Sequence, residues 1–273
     1  MASVDDSPLG KPASYKDEYD PGLLFPIARA PQREALGLSG VLPFSGTDLW
    51  TAYELSWLAP SGKPEIAIAR FDVPADSPSL VESKSVKLYL NSFSQTRLAG
   101  QDEVARALRD DLSHACGKPV AVELVRPAAF ARLAIEPLVG EPIDDLDVEV
   151  RDYSPQPDAL AVGGATVEET LVSHLFKSNC PVTGQPDWGS VQIRYRGPKI
   201  DRAGLLRYLV SFRQHTGFHE HCVERMYVDL RDRCRPERLT VYARFTRRGG
   251  VDINPFRSDW EPAPAPGGRT ARQ

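Results

Sequence analysis

Tyr89-Leu90-Asn91-Ser92-Phe93 and Tyr208-Leu209-Val210-Ser211-Phe212 carry one pattern, Tyr-Leu-x-Ser-Phe, 119 residues apart. A second pair keeps the same order. Leu58-Ala59-Pro60-Ser61-Gly62-Lys63-Pro64-Glu65 lies over Cys180-Pro181-Val182-Thr183-Gly184-Gln185-Pro186-Asp187, with the two glycines 122 residues apart. Two matches in one order at nearly one spacing read as a duplication with a small loop difference.

Working outward, both halves read alike. A turn with Gly and Pro leads into an alternating strand, with Ile66 and Ile68 in one half and Val191, Ile193 and Tyr195 in the other. A helix follows, with Val86, Leu90 and Phe93 or Leu205, Leu209 and Phe212 at helical spacing. The next helix places Val104, Leu108 and Leu112, or Val223, Tyr227 and Leu230, on one face. Each half closes with a strand, PVAVELV from 119 or RLTVYARF from 238. Between the halves, Thr166-x-x-Glu169 has the form of a capping box opening a helix towards Lys177. Strand, helix, helix, strand lacks βαβ alternation and points to α+β with a mainly antiparallel sheet. The polar start and the Pro/Gly-rich end read as flexible tails, 1–20 and 259–273, around modules 21–140 and 141–258.

Bulk properties narrow the classes. At 273 residues two compact units are expected. A net charge of -4 lacks the basic excess of a nucleic-acid-binding surface. No apolar run approaches the roughly 20 residues of a membrane helix, and the first residues lack a secretory signal's apolar core. A cytoplasmic protein with reduced thiols is therefore expected, since Cys116, Cys180, Cys222 and Cys234 form no Cys-x-x-Cys pair. Neither Gly-x-Gly-x-x-Gly nor a P-loop is present.

The informative positions are those that break the repeat. Cys180 stands where the first half has Leu58, and Val81-Glu82-Ser83-Lys84-Ser85 where the second has Ile200-Asp201-Arg202-Ala203-Gly204. One reactive-type segment per half suggests a site built from both. Cys180, in a loop after the expected helix, reads either as a partly exposed nucleophile or as a small buried hydrophobe. Asp187 lies across the turn, in reach of a thiol-bound substrate. Cys116 continues the face of Val104, Leu108 and Leu112 and reads as packing, as do Cys222 and Cys234.

Gly217-Phe218-His219-Glu220-His221-Cys222 concentrates aromatic, imidazole, carboxylate and thiol groups. A purine-like pocket would stack its ligand on Phe218, accept from an amide and amino edge at Glu220, and move protons at His219. Zinc on His215, His219, His221 or Cys222 is a second reading, although the spacing matches no common zinc motif. A third makes Glu220 a helix-dipole partner. Arg247-Arg248-Gly249-Gly250 is either a solvated turn or a seat for a phosphate-bearing cofactor.

These motifs together resemble the NADPH-dependent 7-cyano-7-deazaguanine reductases, the QueF family, in its long two-module form. The resemblance rests on Glu82 to Phe93 (ESKSVKLYLNSF), Ser178 to Trp188 (SNCPVTGQPDW), Phe218-His219-Glu220, and Thr246 to Pro255 (TRRGGVDINP). It implies tandem tunnelling-fold modules, with antiparallel sheets and helices packed on one face, in a homodimer. It implies reduction of the nitrile to an aminomethyl group in queuosine biosynthesis, a tRNA-modification pathway, through a thioimide on Cys180, with Asp187 as general acid/base. Val81, Glu82, Ser83, Phe218, His219 and Glu220 would hold the substrate, Ser83, Lys84, Arg248 and Gly249 would hold NADPH, and no metal is called for. The rivals are a zinc-dependent cyclohydrolase-like purine hydrolase, a cofactor-free cysteine hydrolase and a non-catalytic purine-binding module.

Overall fold

The computed structural model describes residues 15–264 and 268–273. From the N-terminus, strand β1 (Pro26–Ala28) and the short helix α1 (Ala30–Ala35) precede the long antiparallel hairpin of β2 (Ser45–Leu58) and β3 (Pro64–Pro74). Strand β4 (Ser79–Val81) pairs with β1 and leads into helices α2 (Ser83–Ser92) and α3 (Gln101–Cys116) and strand β5 (Ala121–Val125). A long connection with the two-residue strand β6 (Glu141–Pro142) reaches β7 (Val162–Ser173), β8 (Lys177–Asn179) and the long β9 (Pro186–Ile200). Helices α4 (Arg202–Ser211) and α5 (His219–Cys234) and the hairpin of β10 (Arg238–Phe245) and β11 (Val251–Ser258) complete the chain.

Apart from the β1–β4 pair, the strands form one sheet in the order β5-β3-β2-β11-β10-β9-β7-β6, with β8 paired to the start of β9. It is antiparallel apart from the β6–β7 contact. The halves join where β11 pairs with β2, Val251 opposite Ala52 through Ser258 opposite Ser45. Each half also lends side chains to the other's core. Val251 and Ile253 pack among Trp50, Phe71 and Tyr89 under α2 and α3, while Phe44 and Ala75 pack among Tyr195, Phe212 and Tyr227 under α4 and α5. Apolar burial of this extent is what makes two modules one body.

The duplication recurs in atomic detail. Gly62 and Gly184 both take positive φ, +88° and +66°, at the ends of equivalent hairpins. The Tyr89 hydroxyl donates to Asp111 at 2.5 Å and the Tyr208 hydroxyl to Asp229 at 2.6 Å. Glu82 and Asp201 cap α2 and α4, each accepting a main-chain N–H through its carboxylate. The faces expected for the two long helices are buried: Val104, Leu108, Leu112 and Cys116 on α3, and Val223, Tyr227 and Leu230 on α5.

Four expectations are corrected. Thr166-x-x-Glu169 opens no helix; it lies in β7, where Val167 and Leu171 pack against the core. Glu169 is held instead by the Tyr195 hydroxyl and by Arg202 at 2.7 Å, partners distant in sequence. On β3 the core face is Ala67, Ala69, Phe71 and Val73, and Ile66 points outward. The chain does not end its sheet with RLTVYARF, because β11 follows. Lastly, parts of both supposed tails are docked. Tyr19 donates to Asp111 at 2.6 Å and packs on Phe93, and Gln273 donates to the Phe245 carbonyl at 3.0 Å and Asn254 at 2.7 Å. The remainder of the tails, 1–14 and 265–267, lies outside the described residues.

Candidate active site

Cys180 follows strand β8, not a helix, and opens the turn into β9. Its N–H donates to the Gln185 carbonyl at 2.9 Å, and its carbonyl accepts from the Gly184 N–H at 3.1 Å. The positive φ of Gly184 lets so short a turn close, which a Cβ would oppose. The strand end is clipped to the segment ahead of α5: Asn179 N–H donates to the His215 carbonyl at 2.8 Å, and Gly217 N–H to the Asn179 carbonyl at 3.0 Å. Those two bonds set the cysteine beside Phe218, His219 and Glu220.

The thiol is buried, 3% exposed, contrary to the partial exposure expected of a loop cysteine. Burial opposes its ionisation. The Thr183 hydroxyl, the N–H groups of Thr183 and Val182 and the Arg248 guanidinium outweigh burial and hold the thiol below its ordinary pKa. The other three cysteines are pushed up by burial, Cys116 and Cys222 to about 12 and Cys234 to about 11. Of the four thiols, that of Cys180 is the one held towards its ionised form.

Asp187, 6% exposed, is the second residue of β9. It faces His219 Nε2 at 3.5 Å and Arg248 Nη1 at 3.2 Å. The His219 ring is stacked on Phe245 at 3.8 Å, and its buried Nδ1 has no hydrogen-bond partner among the described residues. A bound heterocycle could satisfy that atom. Arg248 also donates to Gln185 Oε1 at 3.2 Å, which ties the β10–β11 turn to the cysteine turn.

A narrow cleft of about 20 Å³ gathers these groups, lined by Val81 and Ser83 from the first half and by Cys180, Asp187, Phe218, His219, Glu220 and Arg248 from the second. Glu82, Lys84 and Gly249 do not line it. The Glu82 carboxylate is committed to the start of α2, accepting from the N–H groups of Lys84 at 2.6 Å and Ser85 at 2.8 Å. Glu220, 2% exposed, lies in the first turn of α5. Burial, helped by the negative charge of Asp48, pushes its carboxyl up to about 8.

Sequence reasoning passed over Lys87. It lies on α2 one turn beyond Ser83, its stem against Gly249, within electrostatic reach of Arg248, Glu82, Asp187 and Cys180. Burial lowers its pKa. Its second-lysine position in Glu-Ser-Lys-Ser-Val-Lys was the available signal. Lys87 and Arg248 thus set two cationic side chains near the bare backbone of Gly249, whose φ is +61°.

The zinc reading lacks a ligand set. His215 packs on Phe212, His219 on Phe245 and His221 against Phe218, and among the described residues no three His, Cys, Asp or Glu converge to hold a metal ion.

Comparison with known proteins gives the class to which this tandem fold belongs, the nitrile reductases. Residues 15–124 match the family described as nitrile reductase, 7-cyano-7-deazaguanine-reductase N-term, and residues 186–264 match a QueF-like protein family. The NADPH-dependent 7-cyano-7-deazaguanine reductase of Chromobacterium violaceum is 58% identical over 274 residues, covering 100% of this chain and 98% of that protein. Proteins of the same name from Bordetella pertussis and Bordetella avium are 57% and 60% identical, covering 99% and 94% of this chain and 100% and 94% of theirs. The chain belongs to the NADPH-dependent 7-cyano-7-deazaguanine reductases.

Proposed function

We propose that this chain reduces 7-cyano-7-deazaguanine to its aminomethyl form, with NADPH as reductant, at the cleft between its two modules, 21–140 and 141–258. The single observation that carries the site is the buried thiol of Cys180, held below its ordinary pKa and facing Asp187 across the turn. Deazaguanine lies against Phe218, with its amide and amino edge on Glu220 and with Val81 and Ser83 closing the opposite wall. Glu82 supports that wall from the α2 cap and reaches the substrate through it.

The Cys180 thiolate adds to the nitrile carbon, and the nitrogen takes a proton by way of Asp187 and His219, giving a thioimide. This covalent step turns a poor hydride acceptor into a good one. Ser83, Lys84, Lys87, Arg248 and Gly249 would hold NADPH, which when bound would supply hydride. Asp187 and His219 deliver protons to nitrogen, and Cys180 leaves once the carbon is tetrahedral. The resulting imine takes up the second pair of electrons to give the amine. The product feeds queuosine formation in the cytoplasm.

The working unit is a homodimer. Light scattering at twice the chain mass checks it. For the reaction, purified protein is mixed with 7-cyano-7-deazaguanine and NADPH, and nicotinamide oxidised is counted per nitrile consumed. Two per nitrile is the expected ratio; no oxidation by folded protein that binds the nitrile would sink the reading.

A further inference from the structure

One turn beyond Glu220 on α5, Glu224 opens a buried ion cluster that the chemistry above leaves unused. Arg33 donates to it at 2.9 and 2.7 Å, Arg257 at 2.8 and 3.1 Å, and Arg29 lies 3.9 Å away. Arg29 also donates to Asp48 at 2.5 Å, and Asp48 faces Arg257 at 2.8 Å. All five side chains are buried. They come from the start of α1, β2, α5 and β11, so the cluster spans both modules.

The same cluster holds both walls of the cleft. Arg29 donates through Nε to Ser77 at 3.2 Å and through its main-chain N–H to the Pro78 carbonyl at 3.0 Å, just ahead of β4. Strand β4 ends at Val81, paired with Pro26, and so carries the first wall. Glu224 carries the second, since a helix moves its first turn with the next. The charges matter as well. Three guanidinium groups face two carboxylates, Asp48 and Glu224, and a buried excess of positive charge is costly unless balanced. Glu220 is the carboxyl beside them.

We propose that the Arg29–Arg33–Arg257–Asp48–Glu224 cluster is the positioning device for Glu220, with Asp48 set against Arg29 and Arg257 to decide when its carboxyl can accept the donor edge of the substrate. This rests on the reading of Glu220 as the substrate's acceptor. Asp48 opposes the ionisation of Glu220, while Arg29 and Arg257 favour it. The buried groups near it on α3 and α5 are shifted away from neutral pH. On α3, Cys116 is pushed up to about 12; on α5, Cys222 is pushed to about 12, His221 down to about 4 and Glu224 to about 2. From the cleft side it is met by Asp187, His219 and Arg248.

The test is the pH dependence of 7-cyano-7-deazaguanine binding, read by calorimetry in a Cys180→Ala background where no thioimide forms. Binding should strengthen as pH rises through about 8, the position to which burial brings Glu220. Asp48→Asn should move that step down by about one pH unit and Arg29→Gln up by a similar amount, while Arg33→Lys, which keeps its charge, leaves it in place. A purely structural role predicts weaker binding at every pH without movement of the step, and that result overturns the proposal. Should the variants fail to fold, ¹³C-glutamate NMR of the unmodified chain decides, with Glu220→Gln supplying the assignment. Glu220 titrating in the ordinary carboxyl range would overturn the proposal. If Glu220→Gln binds substrate normally at all pH values, it is the acceptor reading that fails; if it loses the step but the cluster variants do not shift it, only the cluster inference fails.

Discussion

The hairpin end at 58–65 and the hairpin end at 180–187 share a backbone and differ in chemistry. Both turns close on a glycine with positive φ, and both strand ends are clipped to the segment after the following helix: Leu58 N–H to the Thr96 carbonyl at 2.9 Å, Asn179 N–H to the His215 carbonyl at 2.8 Å. Both hairpins carry a carboxylate on the returning strand. Glu65 binds Arg126 at 2.7 Å, and Arg126 in turn lies over Trp57. Asp187 instead faces His219 and Arg248 in a cleft with a thiol. One scaffold, used twice, holds an ion pair over a tryptophan in one copy and gathers a thiol, a carboxylate, an imidazole and a guanidinium in the other.

The largest effect expected of that difference is at its centre. Cys180→Ala should lower turnover by roughly 10⁴-fold or more, and Leu58→Cys in that background should restore nothing, because the first turn faces no such cleft. Steady-state NADPH oxidation checks both; rescue by Leu58→Cys would break the comparison. Next come the paired carboxylates. Asp187→Asn should cost about 10²- to 10⁴-fold in turnover, as loss of a general acid/base does. Glu65→Gln should leave turnover unchanged and lower stability by at most about 1 kcal/mol, since its ion pair is partly exposed; denaturant melts measure that.

Smaller and sharper is the pH dependence of thiol alkylation. Cys180 is held below the ordinary thiol range partly by Arg248, so Arg248→Ala should raise its pKa. Iodoacetamide labelling at neutral pH should slow, and the rate profile should move to higher pH. An unmoved profile would remove Arg248 from the activation of the thiol. The smallest effect concerns the two turn glycines. Alanine at Gly62 or Gly184 should cost about 1 kcal/mol through its positive φ, somewhat more at Gly62, where the new Cβ would meet Arg97 Nη2 at 2.9 Å. Only Gly184→Ala should also slow Cys180 labelling, because that turn aims the Val182 and Thr183 N–H groups at the thiol.

Much of this was legible before any coordinates. The duplication, the helices α2 to α5 and the placing of Cys180 and Asp187 about one turn depend on residues a few positions apart, where spacing reports geometry directly. The Thr166-x-x-Glu169 box misled because Thr and Glu at that spacing suit either an N-cap or a strand whose polar groups are held from outside. Tyr195 and Arg202 hold Glu169, and β7 gains its ladder from β9. Strand β11 escaped notice because its buried positions include Asp252, Asn254, Arg257 and Ser258, which break any hydrophobic alternation. Lys87 was hidden inside a motif already read for its neighbours.

By itself, the sequence determined that the chain is a tandem α+β protein with a cysteine turn in its second half where the first half has Leu58. Turns, caps and helical faces are written in short-range residue patterns. Only the tertiary structure decided that Cys180 is buried and still held below the ordinary thiol range, that Glu220 is pushed the other way, and that Arg29, Arg33 and Arg257 meet Asp48 and Glu224 between the modules. Burial and electrostatic balance depend on which distant groups share a low-dielectric space; Arg33 and Glu224 stand 191 positions apart along the chain, and no local pattern records their contact.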